Sequence, residues 1–334
     1  MHYTTLGRTG LKVSRLGFGG IPIQRVGSQE ATEIIHSCLW EGINFFDTAR
    51  GYGDSETKLG QALLGKRHQA ILASKSPSRD GAGLRKDLEA CLRELKTDYV
   101  DLYQLHNVAS PEAWEAVCAK DGALAELLSA RDKGLVRYVG ISSHSNELLI
   151  QMQNTEIFDS IQFPFNVVEQ QFVPSLERAV ELNLGRIVMK PLAGGSFADA
   201  SLAIRYALEA PVSVIIPGVD SVEQVRANVA AVVAGPLSVA ERERVLAEAD
   251  ALGQEFCRRC DYCQPCPSGV PISTIFILEG YVRRYGLADW AQTRYDALPV
   301  DGADCVECGI CESRCPCHLA IRDKLKAADQ ALTR

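Results

Sequence analysis

Short apolar runs alternate with longer amphipathic stretches from about residue 15 to about residue 235. The runs at 15–20, 42–47, 70–75, 99–106, 137–142, 160–165, 186–190 and 212–217 are rich in Val, Ile, Leu and Phe between turn residues, and read as buried strands. Between them a helical period predicts helices near 29–41, 54–64, 81–96, 111–133, 146–153, 174–183, 198–209 and 221–234. Ser110-Pro111 supplies an N-cap followed by proline at the first helical position, and Ser221 with Gln224 and Ser238 with Glu241 fit capping boxes. Eight β–α alternations over about 220 residues suit an α/β fold of the closed (β/α)8 TIM barrel type, which takes about 250 residues. A doubly wound open sheet is the competing architecture, but eight units follow one another without a break in composition. The glycines at 17, 19 and 20 lack the spacing of a dinucleotide fingerprint.

With 334 residues the chain is long enough for one large and one small domain. Hydrophobic residues make up 46% and charged residues 23%, as in ordinary soluble domains. The net charge of −7 is spread without long like-charge blocks, which speaks against a nucleic-acid or anionic-membrane partner. The first residues have no apolar signal core, and no apolar run approaches the ~18 residues of a membrane span. A cytoplasmic protein is therefore expected. The pattern divides the chain into a barrel over 1–237, a charge-rich helical bridge over 238–256 and a small α-helical unit over 257–334.

In a TIM barrel the active site lies at the C-terminal ends of the strands. Reading those ends in order gives Asp47, Lys75, His106, Ser142, Gln162 and Lys190, and Tyr52 follows Asp47 on a loop between Gly51 and Gly53. Taken singly, Asp47 is a turn cap, Tyr52 a core edge, Lys75 a solvated strand end and His106 a core histidine. Together on one rim they make an acid–base site the better reading.

The cysteines have a pattern of their own. Among the first 256 residues only Cys38, Cys91 and Cys118 occur, in helical stretches that mark them as core fillers. Eight of the remaining nine form two tight runs, Cys257-x2-Cys260-x2-Cys263-x2-Cys266-Pro267 and Cys305-x2-Cys308-x2-Cys311-x3-Cys315-Pro316, separated by a helical insert near 271–297. The second run has the full spacing of a bacterial ferredoxin, and the first differs by one residue in its last spacer. Thiolates at every third position can wrap a loop around a cubane, and the proline keeps the loop from becoming helix. Tetrahedral zinc, usually held by two separated pairs, is the competing reading. Eight ligands suffice for two [4Fe–4S] clusters, with the fourth cysteine of each run serving the other cluster. Cys317 is left over.

The stretches "YTTLGRTGLKVSRLGFGG", "GINFFDTARGYGDSETKLGQAL", "DYVDLYQLHN", "GISSHS", "IQFPFN", "MKPLAGG" and "VIIPGVDSVEQVRANV" together resemble the aldo-keto reductases over roughly residues 1–235. The remainder resembles the ferredoxin-like extension of a bacterial and archaeal subgroup. The resemblance implies a (β/α)8 barrel that binds NADPH, or NADH, without a Rossmann domain, and a catalytic tetrad at Asp47, Tyr52, Lys75 and His106. Tyr52 would protonate the carbonyl oxygen as hydride reaches carbon, helped by the ammonium of Lys75. Asp47 would orient that lysine, and His106 would donate a hydrogen bond to the oxygen. Cofactor contacts would fall on Gly20, Ser142, Ser143, Gln162, Lys190, Leu192, Gly195, Gly218, Gln224 and Asn228. Gly218 and Gln224 stand where many members carry the Lys and Arg that hold a 2′-phosphate, which keeps NADH as the alternative.

The implied activity is reduction of a small aldehyde or ketone, or oxidation of the alcohol, with an electron-transfer protein as a further partner for the clusters. The competing function is a redox-responsive binding or regulatory protein that uses the barrel for nucleotide and the clusters as sensor. The complete tetrad speaks against it.

Overall fold

The apolar runs become strands and the amphipathic stretches helices in the order the pattern predicts. The computed structural model describes residues 1–253, 256–258, 262–315 and 318–333. Two compact units emerge: Met1–Leu192 with Asp199–Arg242, and Ala193–Ala198 with Glu243–Arg334.

The first unit begins with an antiparallel hairpin, β1 (Tyr3–Thr5) and β2 (Lys12–Ser14). The barrel strands follow as β3 (Phe18–Gly19), β4 (Phe45–Asp47), β5 (Ile71–Ser76), β6 (Val100–Leu105), β7 (Val136–Ser142), β8 (Ser160–Pro164), β9 (Gly185–Met189) and β10 (Val214–Ile216). They lie in sequential order, every neighbouring pair parallel. Parallel bridges from Leu16 to Ile215 and from Gly19 to Gly218 return the last strand to the first and close the barrel. The helices between strands are α1 (Ser28–Trp40), α2 (Ser55–Ala62), α3 (Gly81–Leu95), α4 (Pro111–Cys118), α5 (Ala123–Asp132), α6 (Asn146–Gln153), α7 (Val173–Glu181), α8 (Ala200–Glu209) and α9 (Val222–Val233).

Two apolar layers hold this unit together. The larger lies between strands and helices, where residues such as Ile34, Leu59, Leu88, Val139, Phe163 and Ile204 are removed from water. The smaller fills the barrel with Phe45, Ala73, Leu102, Ile187 and Val214, and the hairpin contributes Leu6 and Val13 to it. Each such side chain, fully buried, stabilises the fold by about 1.5–3 kcal/mol before its entropy cost is counted. The sequence reading assigned no structure to this hairpin, whose strands are only three residues each. Asn44 ties it to the barrel: its Oδ1 accepts from the Ser14 amide at 2.7 Å, and its Nδ2 donates to the Lys12 carbonyl at 2.8 Å. That use of Asn44 also explains why β4 begins at Phe45 and not near residue 42 as predicted.

The single helix predicted over 111–133 is two helices. Between them Asp121 and Gly122 leave helical pairing and bond to the loop before α3: the Gly81 amide donates to Asp121 O at 2.8 Å, and Gly122 bridges Asp80. Because α4 ends at Cys118, that thiol is exposed and is no core filler, whereas Cys38 and Cys91 are buried as expected. The Ser110 cap forms, accepting from the Ala113 amide at 3.2 Å. At Ser221 the cap accepts from the Gln224 amide, but Gln224 Oε1 takes the Asp220 amide and leaves the predicted box unreciprocated.

The helix predicted over 238–256 is α10 (Val239–Gly253), opened by a reciprocal capping box in which Ser238 N donates to Glu241 Oε2 at 2.8 Å and Glu241 N donates to Ser238 Oγ at 3.4 Å. In the second unit the insert predicted near 271–297 is also two helices, α11 (Ile272–Tyr285) and α12 (Ala288–Asp296), because Gly286 at φ 61° ends α11 with a left-handed turn. The short α13 (Ile310–Arg314) and α14 (Ile321–Leu332) follow. Val270, Ile275, Leu278, Tyr295, Leu325 and Leu332 form its apolar centre. The Tyr295 hydroxyl binds Asp329 and accepts from the Gly302 amide at 2.8 Å. Among the described residues no helix is long and apolar enough to cross a membrane.

Candidate active site

Strand register decides what meets at the C-terminal rim of the barrel. Asp47 is the last residue of β4; in the pairing of β5 with β6, Lys75 stands beside Gln104, and in that of β7 with β8, Ser142 stands beside Gln162. Lys75 and Asp47 are both buried, and Lys75 Nζ donates to Asp47 Oδ1 at 2.6 Å and to Thr48 O at 2.8 Å. The loop after β4 turns back at once, with the Tyr52 amide donating to Ala49 O at 3.0 Å, and so brings the phenol ring over the lysine. Lys75 Nζ lies 5.1 Å from the Tyr52 ring centroid. The His106 ring, just past β6, meets the same phenol edge-on, with centroids 5.7 Å apart and planes at 83°. The four residues predicted as a tetrad are thus neighbours in space.

Burial pushes the Asp47 carboxyl up, and Lys75 with Gln162 beside it pulls it back toward ionisation. Burial likewise pushes the Lys75 ammonium down, opposed by Asp47 first and by Glu56 more weakly. Each partner therefore holds the other charged in a site that disfavours both charges. Burial and the cations Lys75, Arg79 and Lys190 push His106 down to about 3, so it is neutral at physiological pH and has one ring N–H to donate. Asp47 Oδ2 and Gln104 Oε1 are buried and have no hydrogen-bond partner among the described residues.

A network behind the tetrad was absent from the sequence reading. Glu56, buried on α2, accepts from Ser74 Oγ at 2.6 Å and pairs with Arg50, which also grips Glu94 through two nitrogens at 2.9 Å each. Its signal was an acid on the buried face of a short amphipathic helix, next to Leu59 and Gly60. Arg79 and His144 were likewise unremarked. Arg79 donates to the carbonyls of His106 and Asn107 at 2.9 and 2.8 Å, and His144 lies between Asn107 Oδ1 at 2.8 Å and Lys190 Nζ at 2.9 Å.

Of the residues singled out for a nucleotide, Ser142 and Gln162 lie at paired strand ends of the barrel. Ser142 Oγ accepts from the Asn107 amide at 2.8 Å, and Gln162 Oε1 accepts from Gln104 Nε2 at 2.8 Å. Ser143 is buried, its hydroxyl donating to Val108 O at 2.7 Å and accepting from the Ser145 amide at 3.0 Å. Gly20 admits no side chain, since a Cβ there would stand 2.7 Å from both Asp47 O and Ser55 Oγ. Lys190 has φ 58°, Leu192 is partly buried, Gly218 bridges Gly19, Gln224 is exposed and Asn228 is buried. Gly195 belongs to the second unit. The buried Gln104 amide, whose Oε1 is unused, fits a polar planar group such as a nicotinamide carboxamide.

In the second unit Cys257, Cys263, Cys266, Cys305, Cys308, Cys311 and Cys315 are in no disulfide, while Cys260, Pro316 and Cys317 lie outside the described residues. Cys311 and Cys315 are part of the apolar centre, and Cys257, Cys263, Cys266 and Cys305 pack against it. Six of the described thiols, from both runs, thus border one apolar centre while Cys308 is exposed, and thiols are the donors that iron–sulfur ligation uses. Among the described residues no three metal-binding side chains are gathered at coordinating distance.

The model of the Aldo/keto reductase family matches residues 15–201. The oxidoreductase YrpG of Bacillus subtilis is 32% identical over 237 residues, covering 60% of this chain and 70% of that protein. The 6-dehydroglucose reductase of Novosphingobium aromaticivorans is 28% identical, covering 60% of this chain and 72% of its own length. Among solved structures, the holo form of the aldo-keto reductase AKR11C1 from Bacillus halodurans superposes with a TM-score of 0.65 at 27% identity, over 74% of this chain and 96% of that one.

Proposed function

The chain belongs to the aldo/keto reductase family and is an oxidoreductase, and from that premise we propose that it is a cytoplasmic NAD(P)H-dependent reductase of small aldehydes or ketones. A bound nicotinamide supplies hydride to the carbonyl carbon, and is oxidised as the carbonyl becomes an alcohol. Tyr52 gives its proton to the oxygen. Lys75 stabilises the phenolate left behind, Asp47 holds Lys75 charged and aimed, and neutral His106 donates a hydrogen bond where negative charge builds on oxygen. In the reverse direction the same groups accept the alcohol proton. The observation that carries this reading is the contact set of one phenol: Lys75 Nζ 5.1 Å from its ring centroid and the His106 ring 5.7 Å away.

Ser142 and Gln162 would hold the carboxamide, Leu192 the pyrophosphate, and Gly218, Gln224 and Asn228 the adenosine end. NADPH is the family's usual nucleotide, and the missing cations at Gly218 and Gln224 favour tolerance of NADH. A relative that reduces 6-dehydroglucose supports sugar-like carbonyls as a class to try.

For residues 257–334 the reading is a ferredoxin-type domain, following a barrel over 1–237 and a bridge over 238–256. Cys257, Cys260, Cys263, Cys266, Cys305, Cys308, Cys311 and Cys315 would hold two [4Fe–4S] clusters; the spacing of the runs and the apolar centre that their described thiols other than Cys308 border support it. Hydride carries an electron pair and each cluster takes one electron, so direct exchange would need a flavin, for which the chain has no motif. Structure and transfer to an electron-transfer protein are therefore the two roles to separate. The test of the function is anaerobic turnover of a panel of aldehydes, ketones and sugars with each nucleotide. Nucleotide oxidation that requires the carbonyl compound is expected; no oxidation with either nucleotide across the panel would overturn the assignment.

A further inference from the structure

Beside the tetrad stands a cation whose charge no carboxylate among the described residues balances. Arg79, on the loop between β5 and α3, is part-buried and is pushed below the usual arginine value by burial alone, with no carboxylate opposing the shift. Its main chain is fixed by the Ala123 amide, which donates to Arg79 O at 2.9 Å, and its guanidinium is fixed by the carbonyls of His106 and Asn107. Those carbonyls satisfy hydrogen bonds without supplying charge. A half-dehydrated guanidinium with no counter-ion is costly to keep, unless an anion arrives during function.

A second cation faces the same turn. Lys190, just past β9, places Nζ 2.9 Å from His144 Nε2, and His144 Nδ1 stands 2.8 Å from Asn107 Oδ1. Lysine can only donate, so Nε2 accepts and Nδ1 carries the proton given to Asn107. The lysine is thereby aimed toward the turn that holds His106 and Asn107. The only carboxylate of the tetrad, Asp47, is engaged by Lys75. The reacting position between Tyr52 and His106 thus has cations on its border in addition to the catalytic lysine.

We propose that Arg79 and Lys190 form an anion subsite next to His106, and that the substrate class is a carbonyl compound bearing a carboxylate close to its reducible carbon, an oxo acid or an acidic sugar. This rests on the reductase reading above. A guanidinium suits a carboxylate through its fork of parallel N–H groups, and the ammonium adds a point charge. The phosphates of the nucleotide share the anionic chemistry. The substrate is the better occupant because both cations act on His106, the residue beside the carbonyl, and because Arg79 is anchored to that residue's own carbonyl.

Matched pairs of probes test this: succinic semialdehyde against butyraldehyde, and pyruvate against acetone, with saturating nucleotide. The wild type should favour the carboxylate-bearing member of a pair in kcat/KM by at least about tenfold, a margin that shrinks with added salt. Arg79→Met and Lys190→Met should each lower that ratio by about tenfold or more, and Arg79→Lys and Lys190→Arg should restore most of it. An unchanged ratio in both Met variants would overturn the subsite. A raised KM for nucleotide at constant ratio would assign the cations to the cofactor phosphates and overturn it too. Calorimetric binding of oxamate to the wild type and to Lys190→Met needs no turnover; equal affinities would contradict the subsite even if the reductase reading itself failed.

Discussion

The barrel rim and the cysteine runs both collect chemically active side chains, and they do so by different means. On the rim the positions are set by strand register: Asp47, Lys75 and Gln104 are strand residues, and Lys75 reaches Asp47 at 2.6 Å within a shell of backbone and apolar contacts. In the second unit six of the described thiols sit on turns and short segments around the apolar centre to which α11, α12 and α14 contribute, and no three metal-binding groups converge among the described residues. Strands aim side chains before any ligand arrives. Turns of closely spaced cysteines fix their donors through the bonds they make. The sequence motif is sharper for the cysteines, yet the spatial constellation is sharper for the tetrad.

The largest expected effect is on the buried pair. Asp47→Asn leaves the Lys75 ammonium buried without its counter-charge and should destabilise the barrel by about 3–5 kcal/mol. It should also lower carbonyl reduction by about a thousandfold, because Lys75 would no longer be held charged beside the proton-donating Tyr52. Lys75→Met alone should be as harmful to activity, but the double variant Asp47→Asn/Lys75→Met should unfold at higher denaturant than the sum of the single losses allows. Additive losses in a denaturant series would show that the pair is not coupled as its geometry requires.

A smaller effect should mark the other region. Anaerobically purified protein should contain about eight iron and about eight sulfide per chain, and Cys311→Ala should lose about half or more of both together with part of the helical signal. Because the tetrad is complete without a thiolate, nucleotide-dependent turnover should stay within a few-fold of wild type. Full iron in the variant would remove Cys311 from the ligand set, and a collapse of turnover would assign the clusters a part in the reaction.

The barrel and the tetrad were legible in the sequence because each depends on period and order: apolar runs, amphipathic stretches, and acids and bases at run ends. What escaped had no period to carry it. The opening hairpin has three-residue strands, and the break between α4 and α5 comes from backbone bonding of Asp121 and Gly122 to a loop some forty residues earlier in the chain. Arg79, Glu56 and His144 stand on loops or a short helix, and their proximity to the site depends on the pairing of neighbouring strands, which brings the ends of β5, β6 and β7 together. The cysteine spacing gave ligand candidates at once, but spacing says nothing of where thiols point.

The smallest effect concerns acid. His106 titrates near 3 in the folded chain and near its ordinary 6.5 when unfolded, so the unfolded state takes up a proton first as pH falls. Its stabilising contribution is complete above about pH 6.5 and is lost progressively as pH falls toward 3. His106→Asn should therefore flatten the pH dependence of stability between about 6 and 4. An identical slope in the variant would mean that His106 titrates normally and that the cations around it do not act on it.

The central claim is that Tyr52 delivers the proton. Tyr52→Phe removes one oxygen from the rim and leaves the ring contacts with Lys75 and His106 available. Carbonyl reduction and nucleotide binding should be measured side by side on this variant and the wild type. Loss of kcat by about a hundredfold to ten-thousandfold, with nucleotide affinity changed by no more than a few-fold, is the predicted result. Turnover equal to wild type would contradict the account.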